Sequence, residues 1–256
     1  MDTLTVAELQ DQPVADLFFA DCRHQLGDAD AGWRQYLAGH WPGAVHLHLD
    51  RDLSAPLAPD LRGGRHPLPD PERLAARLRS LGLNASDRVV AWDDRGGPFA
   101  ARLWFLLRWL GHPRVQVLQG LLDGVDLERG PRRQRPAGDW QPVPQDGWLA
   151  SHAEVRERSQ GGGVLIDCRA PERYAGEVEP LDPVAGHIPG ARNHPWQALL
   201  SDGVLTRSPP VPEPDPIFYC GSGVTACVSL LAHRGATGAG RLYVGSWSGW
   251  LAEEGA

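Results

Sequence analysis

Cys220-Gly221-Ser222-Gly223-Val224-Thr225-Ala226 is the stretch of this 256-residue chain whose residue types and spacing could do chemistry. It follows the apolar run Pro216-Ile217-Phe218-Tyr219 and leads into a helix-like segment, Ala226 to Arg234, that Gly235 is expected to stop. Gly221 and Gly223 let the backbone curl so that successive N–H groups, through Val224 and Thr225, point inward, and the helix N-terminus adds partial positive charge. Such a nest lowers a thiol pKa and stabilises negative charge on or beside the sulfur. The expected object is a reactive thiolate at Cys220 rather than a buried structural cysteine. A phosphatase loop, C-x5-R, needs an arginine to clamp phosphate; Ala226 stands in that place. The alternative is a loop that accepts a sulfur atom and holds it as a persulfide.

The elements around this loop are readable. Asp70 as N-cap, Pro71 at N1, then Leu74, Leu78 and Leu81 on one face with Gly82 behind them predict a helix over 71–82. Phe99, Leu103, Leu106, Leu107 and Leu110, closed by Gly111, predict another. Segments 163–168 and 216–220 are continuous apolar runs, as parallel strands covered on both faces should be. The fold class expected is α/β, in two tandem domains with mostly parallel sheets flanked by helices.

A duplication underlies this. Asp21-Cys22-Arg23 recurs as Asp167-Cys168-Arg169, and His40-Trp41-Pro42-Gly43-Ala44 as His187-Ile188-Pro189-Gly190-Ala191, at spacings of 146 and 147 residues. Val89 to Asp93 matches Ile217 to Cys220, and Val115 to Leu118 matches Arg241 to Val244. The domains expected are 1–130, a linker over 131–147 rich in Pro, Gly, Gln and Arg, and 148–256. Where the second copy has Cys220, the first has Asp93, in Asp93-Asp94-Arg95-Gly96-Gly97. A carboxylate cannot carry sulfane sulfur, and two Asp without His or Glu at ligand spacing read as a degenerate loop rather than a metal site. The second copy is also shortened: 28 residues separate Ala191 from Cys220, against 48 between Ala44 and Asp93. The counterpart of helix 71–82 is missing, and the Pro-rich run Ser208 to Pro216 in its place cannot be helical through its length.

The loop C-G-S-G-V-T-A resembles the active-site loop of the rhodanese superfamily, and is most similar to its mercaptopyruvate-using branch. The resemblance covers nearly the whole chain and implies a sulfurtransferase whose catalysis lies in the second copy, with no metal or organic cofactor. The donor is expected to be 3-mercaptopyruvate or, in the runner-up reading, thiosulfate; the acceptor is cyanide, a small thiol or a protein thiol such as thioredoxin. Thiosulfate-preferring members carry basic residues where this chain has Gly221 and Ser222. Arg169 matches a family arginine that contacts substrate, and Arg173 and Arg102 match motif positions with a similar role. The branch is thought to use a Ser-His-Asp relay; here Ser222 with His40 and Asp30, or Asp28 in its stead, would form it. His187 reads as a turn residue. Cys22, Cys168 and Cys227 read as core.

Composition narrows the partners. A net charge of −7 and the absence of any long basic run argue against nucleic acid and anionic membranes. No apolar stretch approaches the ~20 residues needed to span a bilayer, and the acidic N-terminus lacks a signal-peptide core. Four cysteines in a protein of this size are no disulfide framework. The expected compartment is the cytoplasm.

Overall fold

The continuous apolar runs become short parallel strands. In a computed structural model, which describes residues 2–206, 211 and 214–255, the chain forms two units. The first takes the chain up to Ser54, Pro69–Gln145 and Asp202–Val204; the second takes Ala55–Leu68, Asp146–Ser201 and the chain from Leu205 on.

The first unit holds a five-stranded sheet with the order β1-β5-β4-β2-β3, parallel throughout. Its strands are β1 (Thr3–Thr5), β2 (Leu17–Asp21), β3 (Val45–His46), β4 (Arg88–Trp92) and β5 (Val115–Gln119). Around it lie α1 (Val6–Gln10), α2 (Ala31–Ala38), α3 (Pro71–Ser80) and α4 (Pro98–Trp109). Asp70 caps α3 by accepting from the Arg73 N–H at 2.8 Å. Helix α4 is buried along most of its length, Phe105, Leu106 and Leu107 being wholly enclosed. Each such side chain contributes roughly 1.5–3 kcal/mol by leaving water.

The second unit carries a four-stranded parallel sheet with the order β11-β10-β6-β7. It is built from β6 (Leu165–Asp167), β7 (Arg192–Asn193), β10 (Ile217–Tyr219) and β11 (Arg241–Leu242); between β7 and β10 in the chain, β8 (Leu200–Ser201) and β9 (Val204–Leu205) pair as a separate two-stranded ribbon. Helices α5 (His152–Glu157), α6 (Pro171–Ala175), α7 (Ala226–Thr237) and α8 (Ser246–Glu254) accompany them. Leu149 makes a single parallel bridge to Leu242, the vestige of the β1–β5 pairing in the first copy. Tyr219 stands level with Asp167 across β10 and β6, so the segments that leave these two strands, at Cys220 and Cys168, emerge side by side.

Three expectations change. Helix α7 runs through Gly235 to Thr237 and ends at Gly238, which takes the left-handed conformation at φ 73°; the glycine that stops the helix is the later one. The segment read as a linker is a packed strap of the first unit as far as Gln145. Arg132 donates to Leu81 O at 2.6 Å, Gly138 N to Arg79 O at 2.8 Å and Val143 N to Leu110 O at 2.9 Å, while Trp140 is buried. A Cβ on Gly138 would lie 1.9 Å from Leu83 O, so only glycine permits the approach. Finally, residues 55–68, placed by sequence in the first domain, belong to the second unit. The Pro-rich run expected to be non-helical falls largely outside the described residues, at 207–210 and 212–213.

Candidate active site

Strand β10 ends at the base of the loop, and the loop is gripped from behind by the start of α8. Cys220 N donates to Ser246 Oγ at 3.1 Å, and that hydroxyl donates to Tyr243 O at 3.1 Å. Trp247 N donates to Cys220 O at 2.9 Å and Ser248 N to Gly221 O at 3.1 Å. Ser246, fully buried, holds φ 54°, a conformation that costs an L-residue roughly 1–2 kcal/mol and that this web of bonds sustains. Gly223 sits at φ 74° with Val244 O only 2.5 Å from where a Cβ would be, so no other residue fits the bend.

Cys220 is 1% exposed. Burial by itself would raise its pKa, but the Thr225 hydroxyl and the N–H groups of Ser222, Ala226 and Val224 outweigh that, and the thiol lies below its ordinary value. Cys168 and Cys22 show the contrast: burial pushes both far upward. All four cysteines are buried free thiols.

Ser222 has its imidazole partner in the 55–68 segment. His66 Nδ1 lies 2.8 Å from Ser222 Oγ, a pair that can pass a proton in either direction according to tautomer. Arg65, next to it, donates its backbone N–H to Ser248 Oγ at 3.1 Å. Gly64, at φ 81°, passes so close to Gly245 O, 2.4 Å from its would-be Cβ, that only glycine allows it. The Arg65 guanidinium reaches 2.9 Å, and that of Arg173 3.4 Å, from where a Cβ on Gly221 would be. Burial pulls the Arg65 pKa down, and the Cys220 thiolate pushes it back. The positive charge that the loop sequence lacks is thus delivered from two other segments.

Of the residues picked out by sequence, Cys220, Gly221, Ser222, Gly223, Val224, Thr225 and Arg173 converge. His40 does not take the Ser222 position. Its ring stacks on Tyr36 with centroids 3.9 Å apart, its Nδ1 lies 2.8 Å from Tyr36 O, and it is wholly buried in the first unit. His187 does the same in the second copy, 3.9 Å from the Tyr174 ring and 2.7 Å from Tyr174 O. Both are turn residues of one duplicated module, in which Tyr36 and Tyr174 bond Ala44 O and Ala191 O. Asp30 pairs with Arg51 at 3.0 Å, both well exposed, and Asp28 with Arg34. The expected His40–Asp30 relay therefore gives way to His66.

Arg169 is 3% exposed, and its donors are taken within the protein. It bonds Asp167 at 2.6 Å, Gly186 O at 2.6 Å and Glu179 at 3.2 Å, and lies 5.3 Å over the Trp247 ring. Arg23 repeats this with Asp21, Gly39 O and the Trp92 ring. The Asp-Cys-Arg motif thus ties each strand end to the turn before each His-x-Pro-Gly-Ala, and Arg169 reads as a brace for the site. Arg102 is buried in the first unit, with Nη2 3.4 Å from Leu53 O.

The first copy's loop is filled by its own side chain. The Asp93 carboxylate accepts from the N–H groups of Arg95, Gly97, Phe99 and Ala100, all at 2.8–2.9 Å. Burial raises its pKa against these donors. The side chains of His24, His48 and Asp50 also gather there with ligand-type atoms within 4.8 Å. His48 Nε2 is spent on Ala29 O at 2.7 Å, however, and its Nδ1 accepts from Asp50 and Arg51 N–H, so no lone pair of that ring is left for a metal.

Two segments of the chain, residues 4–126 and 151–253, match the Rhodanese-like domain family, and the protein belongs to that family. A probable 3-mercaptopyruvate sulfurtransferase of Pseudomonas aeruginosa is 44% identical over 93% of this chain and 90% of its own length. A putative thiosulfate sulfurtransferase of Mycobacterium tuberculosis is 34% identical over 91% of this chain and 87% of its own. The structure of 3-mercaptopyruvate sulfurtransferase from Leishmania major superposes with a TM-score of 0.80 at 29% identity, covering 98% of this chain and 74% of that one.

Proposed function

We propose that this protein is a sulfurtransferase that moves a sulfane sulfur from 3-mercaptopyruvate, through a persulfide on Cys220, to cyanide or a thiol. The observation that carries the reading is the buried Cys220 thiol with its lowered pKa, ringed by hydroxyl and N–H donors beside the Ser222–His66 pair. The names of the 44% identical relative and of the Leishmania major structure support this donor class, and that of the 34% identical relative supports thiosulfate.

The Cys220 thiolate attacks the donor sulfur; an S–S bond forms and the C–S bond breaks. The electron pair leaves on carbon as the enolate of pyruvate, which takes a proton through Ser222 and His66. The persulfide is held by the same N–H groups that hold the thiolate. An acceptor nucleophile, cyanide, a small thiol or a protein thiol such as thioredoxin, then attacks the outer sulfur, and the pair returns to Cys220 as thiolate. These steps need reduced thiols, in keeping with a cytoplasmic setting; no helix among the described residues is long and apolar enough to cross a membrane.

The second reading, thiosulfate as the preferred donor, is favoured by the two guanidiniums at Gly221. Steady-state transfer with both donors side by side separates them: a higher kcat/KM for 3-mercaptopyruvate supports the first reading and the reverse order the second. Intact-mass measurement should show one added sulfur, removed by cyanide, and none in Cys220→Ser. Turnover retained in Cys220→Ser would end both readings.

A further inference from the structure

Arg65 and Arg173 are the grips an anionic donor meets beside Gly221, yet each already faces a carboxylate. Asp182, its side chain 3% exposed, pairs with Arg65 through one oxygen and lies 3.4 Å from Arg173 through the other. Glu179, equally buried, takes Arg173 at 2.6 Å and Arg169 at 3.2 Å, and Asp167 takes Arg169. Within the second unit, three guanidiniums are thus matched by three carboxylates, and the Cys220 thiolate makes the group net negative. The arrangement is built rather than incidental. Glu179 also accepts from the N–H groups of Leu181 and Asp182 at 3.1 and 3.2 Å, which turns Asp182 inward while Leu181 beside it stays 52% exposed.

We propose that Asp182 is a specificity-determining residue that sets the charge a donor can bring: by occupying Arg65 and Arg173, its carboxylate admits a monoanion and disfavours a dianion. This rests on the sulfurtransferase reading above. A single carboxylate, such as that of a 2-oxo acid, can share the two guanidiniums with Asp182. A second negative charge, as on thiosulfate, finds each neighbouring guanidinium already matched by a carboxylate whose side chain is only 3% exposed, and uncompensated charge beside such buried groups is expensive. Asp182→Asn removes one negative charge and keeps the side chain's shape.

The test compares wild type, Asp182→Asn and Asp182→Glu with both donors. The thiosulfate-to-mercaptopyruvate ratio of kcat/KM should rise about tenfold in Asp182→Asn, through KM for thiosulfate, and stay within twofold in Asp182→Glu. A ratio that does not move, or an equal loss with both donors, overturns the proposal and makes Asp182 a strut for the arginines. A second readout uses no sulfur donor: the concentration of sulfate, a dianion, that half-protects Cys220 from iodoacetamide should fall about tenfold in Asp182→Asn while that of pyruvate, a monoanion, stays within twofold, and an unchanged sulfate value is equally fatal. Failure of the mercaptopyruvate reading would instead show as a wild type that does not turn that donor over, with the sulfate protection still reporting on Asp182.

Discussion

Cys220 is pulled two ways, upward by burial and downward by Thr225 and three backbone N–H groups, and the donors win. Its alkylation by iodoacetamide should therefore rise with pH along a curve whose midpoint lies below the ~8.5 of an ordinary thiol, and Thr225→Val should move that midpoint up. A wild-type midpoint at or above the ordinary value would remove the thiolate. For the hydroxyl relay, His66→Ala should slow mercaptopyruvate turnover on the order of 100-fold and thiosulfate turnover much less, since only the former needs a proton delivered to carbon. His40→Ala should leave kcat with both donors unaltered and cost roughly 2 kcal/mol of stability, because it removes the ring stacked on Tyr36. Equal slowing of both donors by His66→Ala would take the pair out of the chemistry. The bend of the loop that holds Cys220 was legible because Gly221 and Gly223 admit few other uses. The Ser222–His66 contact was not, because its two residues lie 156 apart in the chain, and only Gly63-Gly64 in front of Arg65-His66 hints at a close backbone approach.

At the scale of elements, the two loops that close the duplicated strands differ in what occupies them. After β10 the nest holds a thiol; after β4 it holds a carboxylate, bound by four N–H groups around the start of α4. Asp93→Asn should therefore preserve sulfur transfer within a few-fold while lowering thermal stability by about 1–3 kcal/mol. The amide NH2 would face either the Arg95 and Gly97 N–H groups or those of Phe99 and Ala100. A loss of activity near 100-fold with the fold intact would mean the loop participates. Parallel strands were readable from their continuous apolar runs, and α3 from its Asp70-Pro71 start. One repeat signal went unread: Thr5 and Glu8 form a capping box at α1, and Ser151 and Glu154 form another at α5, extending the match between the copies to their first helices. The end of α7 was misplaced because Gly235 adopts helical backbone and Gly238 takes the positive φ instead.

Over the whole molecule, the first unit carries an acid-sensitive point where its strap closes. His112 is buried, with its ring 5.8 Å from that of Trp140, and burial lowers its pKa from 6.5 to about 4. Above pH 6.5 the ring is neutral folded or unfolded and costs nothing. As pH falls from 6.5 towards 4 the unfolded chain takes up a proton that the folded chain refuses, and stability drops, on the order of 3 kcal/mol across that window. Chemical denaturation at stepped pH should show this slope, and His112→Phe should flatten it; an unchanged slope would place the acid sensitivity elsewhere. That the strap packs at all was hidden in its composition: Arg132, Gly138 and Gln145 look like solvated linker residues until carbonyl partners on Leu81, Arg79 and Trp109 are known. The two-domain plan was legible from the Asp-Cys-Arg and His-x-Pro-Gly-Ala repeats. The exchange of residues 55–68 was not, because a segment's loyalty to a distant unit leaves no periodicity behind.

That exchange has a hereditary consequence. Arg65 and His66 are encoded in the first copy and built into the second unit, so a gene cut at the strap would carry away Cys220 and Ser222 and leave the histidine that meets Ser222 behind. The duplication is no longer divisible. The first copy, its own loop filled by Asp93, encodes a segment, residues 55–68, that is built into the second unit.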